Sequence, residues 1–280
     1  MKLFRRKQQD GSNSSSPSGV RGRIDLTAPQ NYAEMTEKQV RYVAHLQVKG
    51  RNREEWIWTK CLVNFSGLKA IGGNEEKYYF IKKNLKGFFS MSMEDIYDFS
   101  ERMSFLTRKY EGIRPMVKIG KYRPCDELLR DISFLQYLDA ENYYQAYIFT
   151  KDEVHLHMLM ATLFRIPGKE YNNDLKKRAI KRMSKCSEVE KLIVVMWMVG
   201  IKEHFSNKFR YLFNRVEIQE DEPAIAPDML EIIRNQVRML TEGDITKENQ
   251  VLSAQAWSAL GEMNDKCREA KEMEARTQNT

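Results

Sequence analysis

Cysteine and histidine are scarce in this sequence, with four of each among 280 residues. No two of the cysteines have a Cys-x-x-Cys spacing, which excludes a zinc ribbon and a thioredoxin-type redox motif. The sequence also has no apparent secretory signal, so we expect free thiols in a reducing compartment. The cysteines are Cys61, Cys125, Cys186 and Cys267.

Long apolar runs are absent as well. The longest run, "LIVVMWMVGI", covers ten residues from Leu192 to Ile201, whereas roughly 18 or more are needed to span a bilayer. The basic N-terminus is followed by "QQDGSNSSSPSG" instead of an apolar stretch. We therefore predict that Leu192 to Ile201 belong to a buried helix of a cytosolic protein.

Signatures of catalysis are missing too. "AIGGNEEK" has adjacent glycines, but no GxxxxGK[ST] phosphate-binding motif occurs, and no cysteine lies in a nucleophile signature. His155 and His157 are two residues apart, so on a helix they would point to opposite sides and could not hold one metal ion together. The sequence therefore predicts no enzyme, no metal and no cofactor, while a site assembled from distant residues stays open.

Helix-start signals are what the sequence has in abundance. A Ser or Thr followed three residues later by Gln, Glu or Asp can form a capping box, which satisfies two free amides at the start of a helix. Apolar side chains follow at helical spacing, as at Ile96, Phe99, Met103 and Leu106. The predicted fold class is therefore mainly α, a multi-helix globular domain. The predicted boxes are Thr36 with Gln39, Ser92 with Asp95, Thr150 with Glu153, and Ser187 with Glu190.

Two segments break the helical pattern. "KYYFIKKNLKGFFSMS", from Lys77 to Ser92, has aromatic and β-branched residues on both sides of "NLKG", which predicts a small β-hairpin insertion. "RPMVKIGKYRP", from Arg114 to Pro124, is predicted to add a third strand or a lid-like loop. A helix should follow from Asp126, and its inward side chains would be Leu128, Leu129, Ile132, Leu135 and Leu138.

Composition divides the chain into four parts. Residues 1–27 are rich in Ser, Gly, Arg and Gln, which predicts a disordered basic tail. Residues 28–219 are predicted to form the helical core domain, with the β element near 77–92. The acidic residues 220–228 contain two prolines and are predicted to be a linker. Residues 229–280 are predicted to form a C-terminal helical hairpin whose second helix is capped by Thr246.

A net positive charge raises the question of a nucleic-acid partner. The formal net charge is +7, and "DLKKRAIKRMSK", from Asp174 to Lys185, concentrates basic residues in one predicted helix. Such a cluster can neutralise phosphates. The competing interpretation is that Leu175, Ala179 and Met183 face the core while the basic residues form a solvated side. A nucleic-acid-associated helical protein is therefore the second functional hypothesis, with Lys176, Lys177, Arg178, Lys181 and Arg182 as its contacts.

Three segments share patterns with known proteins. "APQNYAEMTEKQV" is similar to the opening P-x-x-W/Y-x-E-x-T-x-x-Q, and "GDITKENQVLSAQAWSALGEMNDKCREAKE" looks like the C-terminal helical hairpin of the same proteins. A central segment runs from a D-x-x-F-x-x-F helix to the end L-x-x-L-x-A-x-L-Y-R-P-x-G. That end is matched here by Leu156, Leu159, Ala161, Leu163, Phe164, Arg165, Pro167 and Gly168, with Phe164 in place of Tyr and Ile166 as an extra residue.

Over residues 28–275 the chain thus resembles a family of tail assembly chaperone-like proteins from the tail-region gene clusters of phages and prophages of Bacteroidetes. The resemblance implies a non-enzymatic role in virion tail assembly, as a chaperone or an adaptor, in the host cytoplasm or on the virion. The partners would be other tail proteins or a second copy of the chain, with no membrane involved. Because the predicted linker sets the C-terminal hairpin apart, we expect the contact there, at Leu240, Val251, Leu252, Trp257 and Leu260.

Overall fold

The computed structural model describes residues 26–50, 53–82, 87–169, 172–213 and 229–278. The predicted linker 220–228 lies outside these residues, and so does the predicted disordered tail except for its last two residues. Within the described residues the fold is mainly α, with eleven α-helices, a three-stranded antiparallel sheet and a two-stranded ladder. This confirms the predicted fold class. The described residues up to Gly112 form one compact unit, and those from Ile113 form another.

The first unit combines four helices with the three-stranded sheet. Its helices are α1 (Glu37–Lys49), α2 (Glu54–Phe65), α3 (Met93–Glu101) and α4 (Phe105–Arg108), and its strands are β1 (Leu68–Gly73), β2 (Lys77–Lys82) and β3 (Phe89–Ser92). A short 3-10 turn, Tyr32–Glu34, precedes α1. The buried Tyr32 donates its hydroxyl to the carbonyl of Leu106 at 2.8 Å, which ties this turn to α4.

The sheet contains the predicted hairpin and one strand that the pattern did not indicate. The strands β2 and β3 pair antiparallel, from Lys77 opposite Ser92 to Phe80 opposite Phe89, and most of the predicted "NLKG" turn lies outside the described residues. β1 pairs with the other edge of β2 and is irregular between Ala70 and Gly72. Its two glycines and its exposed outer residues hide the alternation by which a strand is predicted.

Capping boxes begin three of the four helices for which they were predicted. The Thr36 amide donates to the Gln39 side chain at 2.8 Å, and the Ser187 amide donates to the Glu190 carboxylate at 2.9 Å. The box of Ser92 with Asp95 is also present, and the hydroxyl hydrogen bond to the Asp95 carboxylate lowers the pKa of that group. These predictions hold because each box depends on only four consecutive residues.

The second unit contains seven helices and the two-stranded ladder. Its helices are α5 (Phe134–Thr150), α6 (Glu153–Leu163), α7 (Asn173–Met183), α8 (Glu188–Lys208), α9 (Met229–Thr241), α10 (Glu248–Ser253) and α11 (Ala256–Gln278). The ladder pairs β4 (Arg123–Pro124) with β5 (Phe164–Arg165). The segment Arg114 to Pro124 therefore supplies a strand, but not to the three-stranded sheet.

The predicted capping box at Thr150 is wrong, because α5 runs up to that residue. Lys151 then takes a left-handed conformation with φ of 56°, and Asp152 caps α6 by accepting from the Val154 amide at 2.9 Å. The Thr150 hydroxyl donates back to the Ala146 carbonyl at 2.8 Å. The helices α5 and α6 thus meet where the sequence suggested one helix start, and they pack closely against each other.

The helix predicted from Asp126 begins only at Phe134. Asp126 accepts from the amides of Leu128 and Arg130, both at 3.1 Å, and Leu129 is left-handed with φ of 59°. Two carbonyls of this turn, which no helix satisfies, accept hydrogen bonds from distant indoles. The indole of Trp197 donates to Glu127 at 2.9 Å, and that of Trp257 donates to Leu128 at 2.6 Å. Leu135, predicted to face inward, is exposed.

The C-terminal helices belong to the second unit, and α11 contributes buried side chains to its core. The backbone around the start of α5 bonds to the α10–α11 junction, with the Phe134 amide donating to Ala254 and the Ala256 amide donating to Ile132. This junction divides the predicted second helix into α10 and α11, and Asp244, not Thr246, caps the turn before α10. In the described residues the chain divides at Gly112, and α9, α10 and α11 group with the second unit, while the predicted boundary at 220–228 lies outside the described residues.

The apolar run Leu192 to Ile201 lies within α8, where most of its side chains are buried, as predicted. Trp197 at its centre is also the donor to the Glu127 carbonyl. Among the helices in the described ranges, none has both the length and the apolar character to cross a bilayer.

Replacing Trp257 with Phe tests the connection between α11 and the Asp126 turn. The substitution keeps an aromatic side chain but leaves the Leu128 carbonyl without its indole donor, so the free energy of unfolding should fall by about 1 to 3 kcal/mol. Trp197→Phe should have an effect of similar size through Glu127. Urea denaturation measures both, and Trp56→Phe in the first unit is the matched control. An unchanged midpoint for Trp257→Phe would contradict the role assigned to this bond.

Candidate interaction surfaces

The five residues predicted to contact a partner lie in two different environments. Leu260 is fully buried, and Trp257 packs its ring against Phe205, Phe209 and His204 with centroid distances of 5.4 to 6.0 Å. Leu260 therefore belongs to the core of the second unit and is not available to a partner, whereas Trp257 is half-buried within this aromatic cluster. Leu240, Val251 and Leu252 are half-buried. The predicted contact does not fit Leu260, because full burial leaves this side chain no surface to offer a partner.

Helix α9 has an apolar surface that its neighbours cover only in part. Its apolar side chains span about half of the helix circumference at 100° per residue. The middle of this arc packs on α10 and α11, whereas Ile232 and Met239 at one edge are exposed, as is Leu230 at the other edge. Ile232 and Met239 are seven residues apart, so they lie on the same side of the helix. We call these two the α9 flank.

The basic helix α7 separates its cations into two groups. Lys177, Arg178, Lys181 and Arg182 are exposed, while Ala179 and Met183 are buried, as the competing interpretation predicted. Lys176 is different, because its ammonium lies 2.7 Å from the Asp139 carboxylate and 3.0 Å from the Tyr143 hydroxyl. Lys176 is only 8% exposed, so it stabilises the packing of α7 and is not available to a nucleic acid.

A buried lysine joins the starts of α6 and α8, and sequence reasoning missed it. The Lys191 ammonium lies 2.8 Å from Glu153 and 2.9 Å from Glu188, the first residues of the two helices. Both carboxylates also lie where the helix dipole favours negative charge. The pKa of Glu153 is lowered by the hydrogen bond from Lys191. No local pattern predicts such a cluster, since Glu153 and Lys191 are 38 residues apart.

The two histidines of α6 have separate surroundings. His155 is half-buried, with its Nδ1 atom 3.2 Å from the Thr150 hydroxyl. His157 is buried, and within the described residues its Nε2 atom has no hydrogen-bond partner, the Glu153 carboxylate being 3.7 Å away. Burial, together with the charge of Lys191, lowers the pKa of His157. In the described part of the chain, no three His, Cys, Asp or Glu side chains are grouped closely enough to hold a metal ion.

The four cysteines are free thiols, as expected. Burial raises the pKa of Cys125 to about 12 and raises the pKa of Cys61 and Cys186 as well. A thiol with a raised pKa is a poor nucleophile at neutral pH, because the thiolate is the reactive form. The environment of these three residues is that of structural cysteines.

The first unit has an open cleft of about 1120 Å³ that no sequence pattern predicted. Arg108 packs over the Trp58 ring at 5.0 Å on one side of it and lies 3.9 Å from the Glu54 carboxylate. Charges of both signs line this cleft, so its electrostatics select no single class of ligand. The lining residues are Arg53, Glu54, Glu55, Trp56, Trp58, Tyr97, Asp98, Ser100, Glu101 and Arg108.

No family model, no curated protein and no solved structure matches this chain.

Lowering the pH should destabilise the second unit through His157. Its lowered pKa means that the folded state resists a proton that the unfolded chain accepts near the ordinary value of 6.5. The contribution of His157 to the free energy of unfolding should therefore be fully present above that pH and should be lost as the pH falls through the lowered pKa of the folded state. His157→Gln should make this loss smaller, whereas His155→Gln serves as the control. Urea denaturation at a series of pH values at which Glu153 stays ionised measures the free energy of unfolding against pH. Identical slopes for His157→Gln and the parent would refute the prediction.

Proposed function

We propose that this chain is a non-enzymatic protein that binds other structural proteins during the assembly of a phage or prophage tail, as a chaperone or an adaptor. The tail context is supported by the sequence resemblance. The mode of action is supported by the α9 flank, where Ile232 and Met239 expose apolar surface next to an arc that α10 and α11 already cover. This single feature carries the proposal.

The partner that we expect on the α9 flank is an amphipathic helix of another tail protein. A partner helix that lies along α9 would extend the apolar arc and bury its uncovered edge. The flank is short, since α9 has 13 residues and spans about 20 Å. Two or three exposed side chains bury much less than the roughly 800 Å² per partner typical of a stable dimer. A transient contact of this size suits a chaperone or an adaptor that must release its partner.

The site of action follows from this role. A protein that meets tail components before they assemble would work in the host cytoplasm, and an adaptor would stay with the virion. The half-buried Leu240, Val251 and Leu252 contribute by holding α9 and α10 in place.

The double variant Ile232→Gln with Met239→Gln tests the proposal. Removing two exposed apolar side chains should cost about 2 kcal/mol or more of binding free energy, which is a loss of about 30-fold in affinity. The protein would be co-expressed with a phage tail-tube protein and, separately, with a tape-measure protein, and the affinity of each purified pair measured by calorimetry. The stability of the chain should change little, because neither side chain is buried.

The matched control is Arg234→Gln with Arg238→Gln, on the opposite side of α9. Unchanged affinity in the Ile232 and Met239 variant, or an equal loss in the control, would refute the assignment of the flank. If the chain bound only to itself, the partner would instead be a second copy. Deleting the C-terminal helices is not a useful test, because Leu260 and Met263 are fully buried in the second unit.

A further inference from the structure

The exposed side of α7 is a stripe of positive charge. Lys177, Arg178, Lys181 and Arg182 are spaced so that they share one side of the helix, and Lys185 continues the stripe just after its end. From Lys177 to Lys185 the stripe measures about 12 Å at 1.5 Å per residue. One carboxylate, Asp174 in the first turn, lies on the same side. The buried side of the helix, with Ala179 and Met183, fixes the direction in which the stripe points.

A tight turn from Ile119 to Tyr122 adds a second cationic element. The two end residues exchange backbone hydrogen bonds of 2.9 and 3.1 Å, and both side chains are buried. Gly120 has a φ of 60°, a conformation that glycine adopts without strain. Lys121 at the tip of the turn is exposed, and so is Arg123 directly after it.

Gly120 is also the point at which this turn meets α7. A Cβ atom at position 120 would lie 3.2 Å from Nε of Arg182 and 3.9 Å from its Cζ, so the guanidinium packs directly on the glycine backbone. Lys169 lines a small crevice together with Tyr122 and residues of α7. We use the name cationic surface for Lys121, Arg123, Lys169, Lys177, Arg178, Lys181, Arg182 and Lys185.

The charges of the cationic surface are not compensated by neighbours in the described part of the chain. None of its eight members forms an ion pair with a described carboxylate, whereas the buried Lys176 and Lys191 are both paired, with Asp139 and with Glu153. Lys121 has a ring contact instead, its ammonium lying 5.8 Å from the centre of the Tyr122 ring. Asp174 offsets only part of this charge, so the cations repel one another. A polyanion would relieve that repulsion, and its own condensed counterions would be released as the cations neutralise its phosphates.

We propose that the cationic surface binds the phosphate backbone of a nucleic-acid duplex without reading its sequence. Among the residues that the structure describes, the surface has exposed cations, and the aromatic side chain that lies among them, Tyr122, is buried. Sites for single strands combine cations with aromatic platforms on which bases stack, and protein interfaces need an apolar or aromatic centre. A rigid row of charges along one helix and one turn fits the regular phosphates of a duplex. This inference uses α7 and is independent of the α9 flank.

The test is the salt dependence of binding to a random-sequence DNA duplex of about 30 base pairs. The full-length parent chain should bind it at about 50 mM salt and lose affinity steeply toward 200 mM, because each phosphate contact adds about 0.9 to the slope of log affinity against log salt. Replacing Lys177, Arg178, Lys181 and Arg182 with Gln should reduce that slope by about three to four and weaken binding at low salt at least tenfold. Fluorescence anisotropy gives both quantities.

Two further variants keep the test decisive. The first is a control that replaces four exposed lysines of the first unit with Gln. It changes the net charge by the same amount and should leave the slope unchanged; the lysines are Lys38, Lys49, Lys69 and Lys77. Lys121→Gln with Arg123→Gln leaves α7 intact and should lower the slope by about two. This pair decides the matter if circular dichroism shows that the α7 variant does not fold.

Four results would overturn the proposal. They are no duplex binding at low salt, an equal loss in the first-unit control, a slope that persists in the folded α7 variant, and tighter binding to a single strand of the same length or to vesicles of anionic lipid. The third would place binding on other cations, such as those of residues 1–25.

Discussion

Two indole hydrogen bonds hold the second unit together. The turn between Asp126 and Ile132 leaves carbonyls without a donor from a helix, and a carbonyl that is shielded from water without a donor is costly. Trp197 of α8 and Trp257 of α11 supply those donors at neighbouring residues, Glu127 and Leu128. The path of the chain into α5, the position of α8 and the docking of the C-terminal helices all depend on this one turn. The same bonds explain why the C-terminal helices cannot be a detachable module.

The parts of the fold that could be predicted from the sequence are those determined within a few residues. The boxes at Thr36, Ser92 and Ser187 are local, and so is the alternation that indicates β2 and β3. The predictions failed where a distant partner decides the conformation. The segment after Asp126 has helical spacing of leucines, but bonds to α8 and α11 favour a turn. At Thr150 the cap pattern is real, yet α5 reaches that residue first, because its apolar side packs on α6.

The candidate surfaces show the same limit. Helical periodicity correctly separated the exposed cations of α7 from Ala179 and Met183, but it could not single out Lys176, whose carboxylate partner is 37 residues away. The contact of Gly120 with Arg182 is likewise invisible in the sequence, although it places a turn beside the helix. For α9, the amphipathic pattern indicates an apolar arc, and only packing reveals which part of that arc α10 and α11 leave uncovered. Surfaces formed by one helix are therefore predictable, and those formed by two elements are not.

The bond between Trp257 and Leu128 also affects the order in which the chain matures during translation. The two residues are 129 positions apart, a stretch that takes a ribosome about 6 to 26 seconds to synthesise at 5 to 20 residues per second. During that interval the Leu128 carbonyl lacks its indole donor, and the aromatic side chains of α8 that contact Trp257 are uncovered. The first unit ends at Gly112 and is synthesised before this interval begins. A newly made chain thus passes through a state with one finished unit and one that waits for its last helix.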